Sequence, residues 1–469
     1  MTLALTLGML GLLLVFFVLV WTKSTRTRTV VTPFLLFGMF EIVSVWPALL
    51  FAQLSEGPEH GAYPALVAGL AFSALLLGFA VILAATGSRA EAPGAYRSSP
   101  VRLAQPEWIY MVTICVAGCI LAAVGSYLYQ GLPPLFAGLA ALREGPNGLT
   151  NAIDIIAAGR EEVTKGHYLG EAYRGQGAIL GLMQVGWPYL LVLSSVVFLL
   201  TRRRRWLVLS LVLFVFNLYF IAGSAQRWQV LEILIYLGVT LTLVVRPTAT
   251  WTAVILFSMV ALYTGLSVLN STYQGIGNKE DPAQSFATQA LSRIALSNGI
   301  NNVEAIDFVE DGSLDLGLGA IHLQKLVDSV PGVGKSDVPF SARLALLRNP
   351  YRADNDTTWA SSTYLGWLYA DLGLPGVVAI YLVIGGGLAL AQHWLFRQPK
   401  TLLELPVLGF IIYFLGELAL DGPATVMAML VVVGTFYAML RTCMFVPQGS
   451  PRVSSRAAPR LTTASGRHA

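Results

Sequence analysis

Apolar residues fall along this chain in long blocks, not at the alternating spacing of a half-buried strand. Eleven such blocks lie near residues 2–22, 30–54, 62–86, 107–130, 177–200, 206–223, 229–245, 249–270, 363–392, 402–420 and 424–441. A helix needs roughly 20 residues to cross a hydrocarbon core, and each block meets that length closely enough to predict a spanning helix. Between residues 271 and 360 the pattern changes. "FATQALSRIALSN", "AIHLQKLVDSV" and "FSARLALLRN" repeat apolar residues at helical spacing with polar residues between them, which predicts short amphipathic helices lying on a membrane surface. The chain thus divides into spans one to eight over 1–270, a helical loop over 271–362, spans nine to eleven over 363–446 and a tail over 447–469.

Composition points the same way. At 55% hydrophobic and 12% charged residues, the 469-residue chain carries more apolar surface than a soluble core buries, so the expectation is an all-α integral membrane protein of about eleven transmembrane helices. The first block has no basic stretch before it, and "KSTRTR" follows it; it reads as a retained anchor and not a cleaved signal. The tail, rich in Ser, Arg, Ala and Thr, reads as disordered, with basic residues suited to anionic lipid.

Charge supplies the orientation. Lys23, Arg26 and Arg28, then Arg89, Arg97 and Arg102, then Arg202 to Arg205, Arg246, Arg397 and Lys400, and finally the tail arginines mark every second connection as basic. The positive-inside rule sends these to the cytoplasm, which puts the N-terminus outside and the C-terminus inside. The two long connections, 131–176 and 271–360, then face outward. That placement decides the reading of "VPGVGKSDVP", which looks like a phosphate loop: position 329, where the pattern needs glycine, is Ser329, no strand precedes it, and it would face a compartment without ATP. Cys115, Cys119 and Cys443 form no disulfide framework, and the five histidines are too scattered for a metal cluster. Neither a cofactor nor a nucleic-acid partner is expected.

The outer loop holds seven basic and eleven acidic residues, yet within 335–352 Lys335, Arg343, Arg348 and Arg352 stand against Asp337 alone. Such a cluster can snorkel to headgroups. It also suits a phosphate or diphosphate, because arginine forks pair with phosphate oxygens and never discharge. Arg343 and Arg348, five apart, do not share one face of a straight helix. Next comes "YRADNDTTWASS", in which Asp354, Asp356 and Trp359 mix carboxylates and an aromatic plane in a way that suits a sugar, or simply caps a helix. Arg227, opening the seventh span, either snorkels or points toward the same ligand. Glu41 and Glu417 fall within apolar blocks, where a carboxylate calls for a polar cavity or a partner.

Several stretches together resemble the bacterial O-antigen polymerase and oligosaccharide repeat-unit polymerase family, called Wzy. They are "GSAQRW" at the head of a span, a large outer loop ending in "VPGVGKSDVPFS", and "SSTYLGWLYADLGLPGVVAIYLVIGGGLA". The resemblance covers residues 221–395. Arg227 sits two residues further from its serine than in the family's pattern, and the proline-lysine turn lacks the family's tryptophan. The resemblance implies a GT-C-like fold in the bacterial inner membrane and a transferase that moves a growing glycan from undecaprenyl diphosphate to the non-reducing end of another lipid-linked repeat unit on the outer face. Its partners would be those lipid-linked oligosaccharides and the bilayer, with a chain-length-regulating co-polymerase left open. On this reading Arg227, Arg343, Arg348 and Arg352 hold the diphosphate, Lys335, Lys325 and Arg293 assist, and Asp354, Asp356 or His322 takes the acceptor's proton. An O-antigen ligase-like transferase and a lipid-linked sugar flippase are the alternatives; no internal repeat of the transporter kind is visible.

Overall fold

The computed structural model describes residues 3–25, 30–55, 61–86, 92–102, 134–141, 176–223, 227–245, 299–328, 340–348, 362–398 and 400–443, with scattered positions between 112 and 155. These residues form α1 (Leu3–Thr25), α2 (Pro33–Ser55), α3 (Ala62–Ala85), α4 (Ala92–Ser98), α5 (Pro134–Ala141), α6 (Gln176–Thr201) and α7 (Arg204–Gly223). They continue with α8 (Arg227–Thr242), α9 (Gly299–Glu310), α10 (Ala320–Asp328), α11 (Phe340–Arg348), α12 (Tyr364–Leu395) and α13 (Glu404–Cys443). Among the described residues there is no strand, only an isolated parallel bridge between Arg102 and Thr401.

Among the described residues five helices are long and apolar enough to cross a membrane: Leu3–Lys23, Pro33–Leu54, Ala62–Ala85, Tyr364–Leu395 and Glu404–Ala424; Gly186–Thr201 and Leu231–Thr242 are shorter apolar stretches. The all-α membrane architecture read from the apolar blocks therefore holds. The block at 249–270 and the tail lie outside the described residues, as does most of 107–130. On α1, Leu5, Leu12, Val15, Phe16 and Leu19 face outward. That is the inverse of a soluble helix and the expected surface against lipid.

Local sequence sets the helix starts. Thr32 accepts the Leu35 N–H on its Oγ1 at 3.2 Å ahead of Pro33, whose missing N–H matters least in a first turn. Thr401 and Glu404 form a capping pair for α13, with Glu404 N donating to Thr401 Oγ1 at 3.2 Å and that hydroxyl donating to Glu404 Oε2 at 2.7 Å.

Two packed layers share α13 and α2. One core joins α1, α2, α3 and α12 through Phe17, Phe34, Phe72, Phe79 and Tyr381; the other joins α6, α8 and α13 through Tyr189, Tyr236, Phe410 and Tyr413. The tightest crossing is α3 on α12, where small residues replace bulky ones: Gly78 lies against the Leu382 carbonyl and Gly385 against the Leu75 carbonyl. Membrane helices, which gain little from mutual hydrophobicity, associate through such backbone approach.

The described parts of the basic connections meet at one end. Arg102 N donates to Lys400 O at 2.8 Å, and Val31 N donates to Thr242 Oγ1 at 3.3 Å. Lys400, 5% exposed, donates from Nζ to the carbonyls of Tyr96, Arg97 and Ser99 at 3.1, 2.8 and 3.0 Å, closing the C-terminus of α4. At the far end α9, α10 and α11 cover α12, with Ala305, Ile321, Phe340 and Leu344 packed against Ala370. There both long helices break, α12 at Gly373 (φ 64°, ψ −170°) before Pro375 and α13 at Gly422 (φ 73°, ψ 179°) before Pro423. That backbone region is open essentially to glycine alone, and proline then starts the next helical arm.

Candidate functional site

The far end concentrates the polar chemistry. Asp371, fully buried, closes the outer arm of α12 just before the Gly373 break. A lone carboxylate there requires partners, and a turn fifty residues upstream supplies them. Gly319 N and Ile321 N donate to Oδ1 at 2.9 and 3.1 Å, and His322 N donates to Oδ2 at 3.1 Å. The turn is anchored further by Gly317 N and Leu318 N, which donate to the carbonyls of Ala370 and Asp371 at 3.0 and 2.7 Å. Its fit is tight, since a side chain on Gly317 would meet Asp371 Oδ1. Leu318 adopts φ 49°, a left-handed conformation uncommon for a branched side chain and held here by these hydrogen bonds.

His322, in the first turn of α10, completes the arrangement with Nδ1 2.5 Å from Asp371 Oδ2. Its ring meets Tyr364 edge-on at 5.5 Å. Its second nitrogen, Nε2, is enclosed and has no hydrogen-bond partner among the described residues. One turn on, Lys325 reaches across the face of Trp367 at 3.7 Å from the ring centroid and donates to the Asp421 carbonyl at 2.6 Å. That carbonyl belongs to the turn opened by the Gly422 break, so Lys325 satisfies a group the broken helix leaves free. Burial lowers the Lys325 ammonium from 10.5 to about 8, and the Asp421 carboxylate opposes that shift. One side of α10 presents Leu323, Leu326 and Val327 outward, an apolar stripe beside the polar pair.

Of the residues singled out in the sequence, His322 and Lys325 come together here. Arg343 lies on the exposed side of α11, whose Phe340 packs on Trp367 at 5.1 Å. Arg348 ends α11 and Arg227 begins α8, but their side chains are outside the described residues, as are Arg293, Lys335, Arg352, Asp354, Asp356 and Trp359 altogether. Glu232, on α8, interacts electrostatically with Asp421, which brings the first turns of α8 near the same end. Within the spans, Glu41 accepts from Tyr381 Oη at 3.0 Å and Glu417 from Tyr413 Oη at 3.1 Å, the partners that intramembrane carboxylates call for. Among the described residues no group of three His, Cys, Asp or Glu side chains could hold a metal ion.

Asp371, Trp367 and Tyr364 carry the site without having been picked from the sequence. All three lie in "TYLGWLYADLG", part of the stretch that carries the family resemblance, where the signal is an aromatic-acidic run and an acid closing an apolar helix. Compared with models of protein families, with curated proteins and with solved structures, the chain matches none of them.

Proposed function

We propose that the chain polymerises lipid-linked oligosaccharide repeat units, transferring a glycan from a polyprenyl diphosphate, undecaprenyl diphosphate in the family it resembles, to the non-reducing end of another lipid-linked unit. The reading places eleven spans in a GT-C-like arrangement in a bacterial inner membrane, with the basic end cytoplasmic and the far end facing out. The observation that supports it is the far-end cluster. His322 and Lys325 stand with buried Asp371 and the Trp367 face beside an apolar helix edge, at the end opposite the basic connections. A glycolipid needs an apolar edge for its tail and charge for its diphosphate, and the Trp367 face beneath Lys325 holds that charge in place.

In the reaction so proposed, an acceptor hydroxyl loses its proton to His322 Nε2 and attacks the anomeric carbon of the donor. The anomeric C–O bond to the diphosphate breaks and its electron pair leaves with the phosphate. Lys325, with Arg227, Arg343, Arg348 and Arg352 and with Lys335 and Arg293, stabilises that departing charge. Asp354, Asp356 and Trp359 are assigned to the sugar. The helix breaks at Gly373 and Gly422 lie at the far end and not midway along a span, so neither resembles the midplane break of a flippase.

The test is deletion of the gene in its host, with surface polysaccharide resolved by size, and complementation by wild type and by Arg348→Ala. The ladder should collapse to a single repeat unit on deletion and return with wild type alone. A ladder unchanged by deletion refutes polymerisation, and one restored by Arg348→Ala removes Arg348 from the site. By contrast, Arg203→Ala should leave chain length unchanged.

A further inference from the structure

We infer that Asp371 is the positioning residue of the transfer site: it fixes His322 in the tautomer protonated at Nδ1, so that Nε2 is the proton acceptor. The inference rests on the glycan-transfer reading above. Asp371 does not act on substrate itself, because both its oxygens are engaged, Oδ1 by Gly319 N and Ile321 N and Oδ2 by His322 N and Nδ1. A carboxylate accepts only, so against the short Nδ1···Oδ2 contact a neutral imidazole must present Nδ1–H. The ring then carries its lone pair at Nε2, the one polar atom of the pair with no hydrogen-bond partner among the described residues. The backbone adds rigidity. The same carboxylate that sets the tautomer also receives the α10 N–H groups, so ring and helix are held by one group. Tyr364 meets the imidazole edge-on at 5.5 Å.

Asp371→Asn separates positioning from mere support. Its amide oxygen can replace Oδ1 for the two backbone donors, which turns the NH₂ toward His322, gives up the bond from His322 N and requires Nδ1 to accept. The tautomer reverses while most of the fold's contacts survive. Asp371→Glu keeps the acceptor and should partly restore function.

The experiment is ring-¹⁵N histidine labelling of the full chain in lipid bilayers at neutral pH. Five imidazoles are present, and the difference spectrum against His322→Gln assigns the one of interest. Wild type should show a bare Nε2, and Asp371→Asn a protonated one. Repeat-unit addition by membranes carrying Asp371→Asn should fall about 100-fold or more, the scale of a misplaced general base, with Asp371→Glu between the two. Protonation of wild-type Nε2, as the other tautomer or as imidazolium, overturns the inference even where a variant fails to fold. So does an undiminished rate in Asp371→Asn. The ring spectrum does not depend on the substrate. A bare Nε2 in a protein that makes no ladder therefore sinks the polymerase reading alone, and a protonated Nε2 in one that makes a full ladder sinks the pair alone.

Discussion

Replacing Gly385 by alanine places one methyl group between α3 and α12 where the structure has no room for it. The new Cβ would lie 2.2 Å from Leu75 O, 2.9 Å from Phe79 N and 3.0 Å from Leu75 C. All three are backbone atoms, so no side chain can swing aside. Ordinary contact begins at 3.4 Å, and the helices must therefore part by about 1.2 Å along a face that also holds Phe72, Phe79 and Tyr381. Overpacking of this kind costs about 1–3 kcal/mol. Gly387→Ala, two residues on, is the matched control: nothing stands within 4 Å of its added Cβ, and there alanine should gain about 0.5–1 kcal/mol of helix propensity. Heating the detergent-solubilised protein and measuring the monodisperse fraction by gel filtration compares the two. Gly385→Ala should lose its monodisperse peak at a clearly lower temperature than wild type, and Gly387→Ala should not. Equal midpoints for the two variants would refute close backbone contact as the source of the crossing's stability.

Lys325 gives a pH prediction. Its folded pKa of about 8 lies below the ordinary 10.5, so between those values the unfolded chain retains a proton that the folded chain has released, and stability rises with pH across that window. On the proposed transfer reading, charge for a diphosphate fades in the opposite sense, so repeat-unit addition by membranes should decline as pH rises through about 8, and Lys325→Arg should flatten that limb. A wild-type rate that does not change between pH 7 and 9 would refute a Lys325 ammonium that discharges near 8. At the basic end, Lys400→Met removes the donor to three carbonyls beneath α4 and should lower the melting midpoint by the equivalent of about 2–4 kcal/mol; a midpoint matching wild type would show that cap to be dispensable.

The spans were legible because a hydrocarbon solvent imposes one rule, length with uniform apolarity, and α2, α3, α12 and α13 obey it. α10 and α11 were legible for a related reason: Ile321, Phe340, Leu344 and Ala345 keep helical spacing on one buried side. α9 was not. Its inward face uses amides in place of alkyl groups, Asn302 Nδ2 donating to Thr363 Oγ1 at 2.8 Å and Asn302 Oδ1 accepting from Thr363 N at 2.8 Å, so the apolar period is interrupted where burial is greatest. His322 and Lys325 could be picked as ionisable groups on an amphipathic helix. Asp371 could not, because what distinguishes it is five backbone N–H groups of a distant turn folding onto it and the carbonyl groups beside it, and no spacing in the sequence encodes that contact.

The α3–α12 crossing also carries a consequence for biogenesis. The two helices run in the same direction and meet through Tyr63 and Tyr369 at one end and Ile82 and Gly386 at the other, yet α12 is synthesised only after most of the intervening chain. At about 5–20 residues per second, that interval is on the order of tens of seconds. Throughout it the small-residue groove of α3 has no permanent neighbour, and lipid or a transient protein must occupy it. Assembly of the far-end site is thereby tied to the last third of synthesis. A ribosome that stalls before α12 leaves an inserted bundle that lacks both Asp371 and the wall that would hold it.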